Sequence, residues 1–181
     1  MTDKTRKLVI TAMLTALAVI TLMVPFLRTP LLPAAPFLEY DAMDVPIMIG
    51  ALLLGPGAGV TITVIASIIQ GITVSGASGI YGIIQHIIAT SAFVSVTAFI
   101  YHRNKNEKFG LLIALIAGTV AMAVIMIPAN LIVTPFFMGT PVSAVVSMII
   151  PIIIPFNLLK AGINSVIVYI LYPTIKKIAK M

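Results

Sequence analysis

Apolar residues run almost unbroken through this chain, and the places where they stop divide it into six helical segments. Lipid cannot satisfy backbone N–H and C=O groups, so apolar runs of this length must span as helices that bond themselves. The first run, 8–27, is about 20 residues, enough to cross. A stretch with Pro30, Pro33 and Pro36 follows, whose prolines bar a continuous helix. The next helix is expected at 45–54, with Asp44 as its N-cap and Pro46 tolerated in the first turn. Gly55-Pro56-Gly57-Ala58-Gly59 ends it. About ten residues are too few to cross alone, so this second helix is short, tilted or partly embedded. Further spans are expected at 60–74, 81–101, 111–134 and 156–172, separated by Ser75-Gly76-Ala77-Ser78-Gly79, a polar hinge at 102–108 and a loop from Pro135 to Pro141. Residues 142–154 are apolar but carry Pro151 with Pro155 just beyond, and read as loop packed on the bundle. No internal repeat supports an inverted-repeat carrier. The expected fold is an all-α membrane protein, a single domain over 1–181 built as a six-transmembrane-helix bundle with a short second helix.

Charge orients that bundle. Nine of the eleven Lys and Arg residues fall in three clusters, Arg28 and Lys160 being the other two. The clusters are Lys4, Arg6 and Lys7; Arg103, Lys105 and Lys108; and Lys176, Lys177 and Lys180. Basic residues stay on the cytoplasmic side, so both termini and the mid-chain hinge are expected inside, with an even number of crossings between them. Six helices then place 27–44, 75–80 and 135–155 outside. The net charge of +6 does not point to nucleic acid, because the cations flank apolar spans and no aromatic-interleaved basic face exists. The basic start also fits a signal peptide, but a run of about 20 residues and continued hydrophobicity favour an uncleaved first helix. With 60% hydrophobic and 9% charged residues the chain has no soluble module, and the lack of cysteine excludes disulfides, thiol catalysis and Cys-ligated metals.

Against that apolar background the polar residues of the last helix stand out. Asn157, Lys160 and Asn164 fall within an arc of about 60° at ~100° per residue. An intramembrane lysine costs about 2.5–3.5 kcal/mol on insertion scales, so Lys160 faces a cavity, a partner or the interface. Snorkelling from near the helix start is the plainer alternative, though it does not call for two asparagines on the same face. Asn130 lies at the outward end of the fifth helix after Pro128-Ala129, as a ligand contact or an interhelical hydrogen bond. Above these residues lies a loop with Leu38, Glu39, Tyr40, Asp41 and Asp44, holding three of the five acidic residues. Asparagine amides match the edge of a heterocycle, lysine donates to carbonyls or hydroxyls, and Tyr40 is placed to stack on a ring. Gln85 and His86 add to the patch from the fourth helix; His86 has no metal-spaced neighbour and reads as a packing histidine. On the first helix, Ala12 and Ala16 are small residues at the spacing that lets another helix approach closely. No phosphate-binding Gly-x-x-x-x-Gly-Lys-Ser/Thr loop is present, nor His-Glu-x-x-His, Gly-x-Ser-x-Gly or paired intramembrane carboxylates. Enzyme and proton-driven-carrier readings are weakened accordingly.

Three motifs carry a family resemblance: Phe37-Leu38-Glu39-Tyr40-Asp41-Ala42-Met43-Asp44-Val45-Pro46, Gly55-Pro56-Gly57-Ala58-Gly59 and Pro155-Phe156-Asn157-Leu158-Leu159-Lys160-Ala161-Gly162. The chain resembles, along its whole length, the riboflavin-specific substrate-binding (S) components of energy-coupling factor (ECF) transporters. The resemblance implies a small membrane protein of the bacterial cell membrane that captures a vitamin from outside. It implies docking on a coupling protein, EcfT, driven by two ATPase subunits, EcfA and EcfA', with Ala12 and Ala16 packing on the coupling protein. It further implies flavin contacts at Asn130, Asn157 and Lys160, and Leu38, Tyr40, Asp41, Gln85 and Asn164 join them as candidate ligand residues. Riboflavin is then the transported ligand, and neither a cofactor nor a metal is expected. The loop departs from the family pattern Leu-Lys-Tyr-Asp-Pro-Ser-Asp, with Glu39 in place of the lysine and Ala42-Met43 in place of Pro-Ser. The competing functions are an S component for another vitamin (pantothenate, a folate or similar heterocycle) and a stand-alone membrane enzyme using Lys160 and the loop carboxylates.

Overall fold

The computed structural model describes residues 2–74, 78–104 and 107–179, without the side chains of 107 and 108. The expected break at 75–77, Lys105, Lys180 and the Lys108 side chain lie outside the described residues. Helix α1 (Asp3–Met23) leads through a 3-10 turn (Pro25–Leu27) into a ribbon of β1 (Arg28–Pro30) and β2 (Glu39–Asp41). The helices α2 (Asp44–Leu54), α3 (Pro56–Thr73), α4 (Gly79–Arg103) and α5 (Glu107–Met138) follow. The chain ends in α6 (Val142–Met148), a π-helical turn (Ile149–Ile153) and α7 (Ile154–Ala179). Taking Val142–Ala179 as one continuous run, five helices are long and apolar enough to cross a membrane. The expected short second helix is present as α2, an apolar helix below that length.

The elements begin and end for local reasons. Gly55, at φ 101°, takes the left-handed conformation that lets α2 stop and α3 start within one residue. Pro56 then opens α3, because a proline at the first helical position loses no intrahelical bond. That start is four residues earlier than the expected 60. The 27–44 stretch is not all irregular: β1 and β2 pair antiparallel with Arg28 opposite Asp41 and Pro30 opposite Glu39. The expected loop at 142–154 is helical instead. Pro151 and Pro155 each remove a donor, and the π-helical turn absorbs the misfit, with Ile154 N bonded to Ile149 O five residues back.

The core forms around α2, in which every residue from Asp44 to Leu52 is buried. At 11 residues α2 is about 16 Å long, roughly half the hydrocarbon thickness, so it is a short buried helix that takes the chain inward from the ribbon towards the start of α3. It packs on α1, α3, α4 and α7, and Tyr172 OH of α7 donates to Leu52 O at 3.1 Å. Close approach of α4 and α5 needs Gly118, where a Cβ would strike Thr97 Oγ1 and stand 2.8 Å from Phe93 O. The outer surfaces are apolar: Leu8, Ile20, Ile116, Val124, Ile132, Ile150 and Ile170 are all exposed, a lipid-facing pattern.

The basic ends converge. Arg6 donates to Ala179 O, Lys176 Nζ donates to Tyr101 OH at 3.1 Å, and the Arg103 guanidinium lies 4.1 Å from the centre of the Phe99 ring. The start of α1 and the ends of α4 and α7 therefore share one pole. The ribbon, the end of α3, the start of α4 and the end of α5 meet at the other.

Candidate functional site

At the pole opposite the basic residues lies a cavity of about 270 Å³. It is near the lower bound of small-molecule sites, about 300 Å³. One wall is the loop Phe37, Leu38, Glu39 and Asp41; α3 contributes Ser67 and Gln70; α4 contributes Tyr81, Gln85 and His86. The last helices supply Met122, Met126, Thr134 and Phe137 from α5, and Phe156, Asn157 and Lys160 from α7. Phe137 stands between Phe37 and Tyr81, with ring centroids 6.4 and 6.1 Å away, so the mouth is aromatic while the depth is polar.

The polar depth is an ion cluster assembled from three distant segments. Lys160 Nζ donates to Asp41 Oδ2 at 2.9 Å and lies 3.8 Å from Asp44 Oδ2. All three residues are at least 96% buried, with exposures of 4%, 2% and 0%. The lysine does not snorkel: its charge is met inside the fold by two carboxylates more than a hundred positions earlier. Burying such a group without partners would cost several kcal/mol, which the paired geometry offsets. Asp44 opens α2 but does not act as its side-chain cap; the cap position is Met43. Its carboxylate instead accepts from Thr90 Oγ1 at 2.9 Å and Asn164 Nδ2 at 3.3 Å, and faces His86 Nε2 at 3.3 Å. His86 is therefore more than a packing residue, since Ser67 Oγ also lies 2.8 Å from its Nδ1. Asp41, Asp44 and His86 bring one ligand atom each within 4.8 Å of one another, but the Lys160 ammonium already lies against the two carboxylates. Asp41 keeps one buried oxygen, Oδ1, without a hydrogen-bond partner.

The remaining candidates take up different positions. Leu38, Asp41, Gln85, Asn157 and Lys160 line the cavity. Asn157 is oriented by donating from Nδ2 to Ile153 O at 2.8 Å, at the end of the π-helical turn. Asn130 stands one layer back. Its Oδ1 accepts from Gln85 Nε2 at 3.2 Å and Thr134 Oγ1 at 2.8 Å, and its Nδ2 donates to Met126 O at 2.8 Å. Asn164 lies beneath the loop, donating to Asp41 O at 3.4 Å and accepting from Tyr40 OH at 2.9 Å. Tyr40 is thus tied to α7, and the rings lining the cavity are Phe37, Tyr81, Phe137 and Phe156. Burial, and then the nearby Asp41 and Asp44 carboxylates, raise the Tyr40 phenol above its usual range, which keeps it a donor. Ser67, Gln70, Thr134, Tyr81 and Phe137 were not singled out from the sequence. Each is a common residue in an apolar helix, and only its partner across the cavity marks it.

Ala12 and Ala16 lie far from this cavity, exposed on α1. They border an apolar groove of about 600 Å³ between α1 and α3, with Leu8, Val19, Ile65 and Ile69.

Comparison with known proteins accounts for this architecture. Residues 6–172 match the family described as ECF transporter, substrate-specific component. The chain is 30% identical to the riboflavin transporter FmnP of Bacillus subtilis, over 96% of this chain and 93% of that protein. It is 33% identical to the riboflavin transporter RibU of Lactococcus lactis subsp. cremoris, over 68% of this chain and 61% of that one. A solved structure described as the S component of a bacterial ECF transporter superposes with a TM-score of 0.84 at 25% identity, covering 99% of this chain and 100% of its own. The family match and the relatives named riboflavin transporters make this a transporter component and not an enzyme, and the apolar helices fit a multi-pass protein of the bacterial cell membrane: the chain belongs to the substrate-specific components of ECF transporters.

Proposed function

We propose that this S component captures riboflavin from the outer face of the membrane and hands it to an ATP-driven coupling module. The observation that carries the reading is the cavity itself. An aromatic mouth formed by Phe37, Tyr81 and Phe137 leads to Gln85, Asn157, Lys160 and the unpartnered Asp41 Oδ1. A flavin is a flat apolar ring with a hydrogen-bonding edge and a neutral polyol tail, which those two zones complement. Relatives named riboflavin transporters favour it over other vitamins. In this reading Asn157 and Lys160 contact the ligand, Asn130 holds Gln85 in place, and Asn164 holds the loop. Riboflavin is cargo and needs no resident cofactor. The α1–α3 groove receives the coupling protein EcfT, which carries the ATPases EcfA and EcfA'. The basic pole faces the cytoplasm, as the charge rule requires.

Colour tests the reading directly. Protein purified from rich medium should be yellow and release a fluorescent flavin on denaturation. Isothermal titration of the stripped protein against riboflavin, pantothenate and folate should give tight binding for riboflavin only. A colourless protein that binds pantothenate or folate instead would keep the family and replace the vitamin.

A further inference from the structure

His86 lines the cavity, yet both of its ring nitrogens are taken up by protein groups. Nε2 faces Asp44 Oδ1 at 3.3 Å and Thr90 Oγ1 at 3.4 Å. Thr90 spends its single hydroxyl proton on Asp44 Oδ1, so both neighbours of Nε2 are acceptors and Nε2 carries a proton. Nδ1 lies 2.8 Å from Ser67 Oγ, a hydroxyl that donates to Thr63 O at 2.6 Å. With the Ser67 proton spent there, Nδ1 donates as well, and the ring holds two protons and a positive charge. Turned onto Nδ1, the same proton would make the ring neutral, so the charges around His86 decide. Lys160 alone stands against Asp41 and Asp44, all three buried, and a cationic His86 makes the set two against two. The elements packed around it bring no other charge to bear. Helix α3 has none, α5 has only Glu107 and Lys108 at its start, α7 has only Lys160 before Lys176, and Glu39 of the ribbon is paired with Arg28. Tyr81 is the other titratable group that α4 presents to the cavity.

That balance bears on where Lys160 points. Asp41 and Lys160 line the cavity, whereas Asp44 does not. One ammonium between two carboxylates is drawn both ways, and Nζ stands 2.9 Å from Asp41 Oδ2 but 3.8 Å from Asp44 Oδ2. Asp44 is served by other donors, His86 and Thr90 on Oδ1 and Asn164 on Oδ2, which leaves Lys160 on the cavity side. Resting on the riboflavin reading, we infer that His86 is a positioning residue for vitamin capture: as a cation on Asp44 it completes the balance of buried charge and keeps Lys160 turned to the cavity. It acts through Asp44 and offers the vitamin neither nitrogen. With His86 neutral, Asp44 draws the ammonium inward, and the vitamin loses its charged donor.

The test is a pH profile of riboflavin affinity, measured by isothermal titration of the detergent-purified full chain. Affinity should fall about 10-fold between about pH 6 and about pH 8.5, the range in which histidine gives up its charge. The sign follows from the charge: low pH favours the cationic ring, and the cationic ring keeps Lys160 at the cavity. The other histidine, His102, is exposed at the basic pole, and His102→Gln should leave the profile as it is. His86→Gln keeps an amide donor for Asp44 but no charge, so it should bind about 10-fold more weakly at about pH 6, with a flat profile. Adding Asp44→Asn leaves one cation against one carboxylate and should regain part of that affinity, where a purely structural role would deepen the loss. The wild-type profile needs no variant of the site, so it decides the matter where His86→Gln does not fold. A flat wild-type profile, a profile that survives in His86→Gln, or a double variant weaker than the single would overturn this role and leave the riboflavin assignment standing. Failure of the wild type to bind riboflavin at any pH would remove both.

Discussion

Lys160 shows how far the meaning of one residue depends on what folds against it. Along the sequence it has no counter-ion nearby, which leaves stabilisation of the empty protein open as one outcome of its removal. The structure decides against that outcome, because Asp41 and Asp44 would be left buried and uncompensated. Breaking a buried pair in this way costs about 3–5 kcal/mol. Lys160→Ala should therefore lower the thermal midpoint in detergent and abolish riboflavin binding, and adding Asp41→Asn should recover part of the midpoint but none of the affinity. A midpoint at or above wild type for the single variant would mean the pair is not formed. Asn157→Ala separates the two effects, since it removes one amide beside the ligand and touches neither carboxylate. It should fold normally and lose about 1–3 kcal/mol of affinity, roughly 5- to 150-fold, by isothermal titration. Unchanged affinity there would dissociate the α7 face from the ligand.

At the level of elements, the two faces of α1 divide its work. Ala18 and Leu22 are buried against the bundle, while Ala12 and Ala16 border the α1–α3 groove. Small side chains there permit close helix contact, and a bulky one would fill the groove. Ala16→Leu or Ala12→Trp should abolish riboflavin uptake by cells while the purified protein binds riboflavin as wild type does, because the cavity draws no residue from α1. Loss of binding along with uptake would show that the groove is needed for folding and not for docking. The π-helical turn is the other element with a task. It carries two prolines through a continuous helix and ends where Ile153 O accepts from Asn157, so a local irregularity sets the orientation of a cavity residue.

Across the whole molecule, the distribution of charge predicts orientation. The described cations Arg6, Arg103 and Lys176 meet at one pole and the cavity opens near the other. Cysteines placed at Ala34 and Asn104, both exposed and at opposite poles, report the sidedness. An impermeant reagent applied to intact cells should label the former and spare the latter. Labelling at Asn104 alone would invert the protein and put the cavity on the cytoplasmic face.

The all-helical membrane class, the short α2, the Gly55-Pro56 junction and the polar face of α7 were all legible in the sequence, because each follows from local rules of length, proline and glycine chemistry and helical period. The boundaries of α1 and α3, the ribbon at 28–41 and the helical path through 142–154 were not. There, packing on neighbouring helices and a π-helical turn satisfied backbone groups that proline leaves unpaired, and nothing local announces that compensation. The candidate site was half visible: the sequence marked Asn157, Lys160, Asp41 and Gln85 by their polarity in apolar surroundings. Only the tertiary structure decided that Asp44 is an ion partner and no cap, that Asn130 and Asn164 stand behind the cavity, and that Tyr40 bonds Asn164. Those outcomes rest on contacts between residues 45 to 124 positions apart. Polarity is a property of a residue and can be read in a line, whereas the partner that gives a buried charge its role is chosen by the fold.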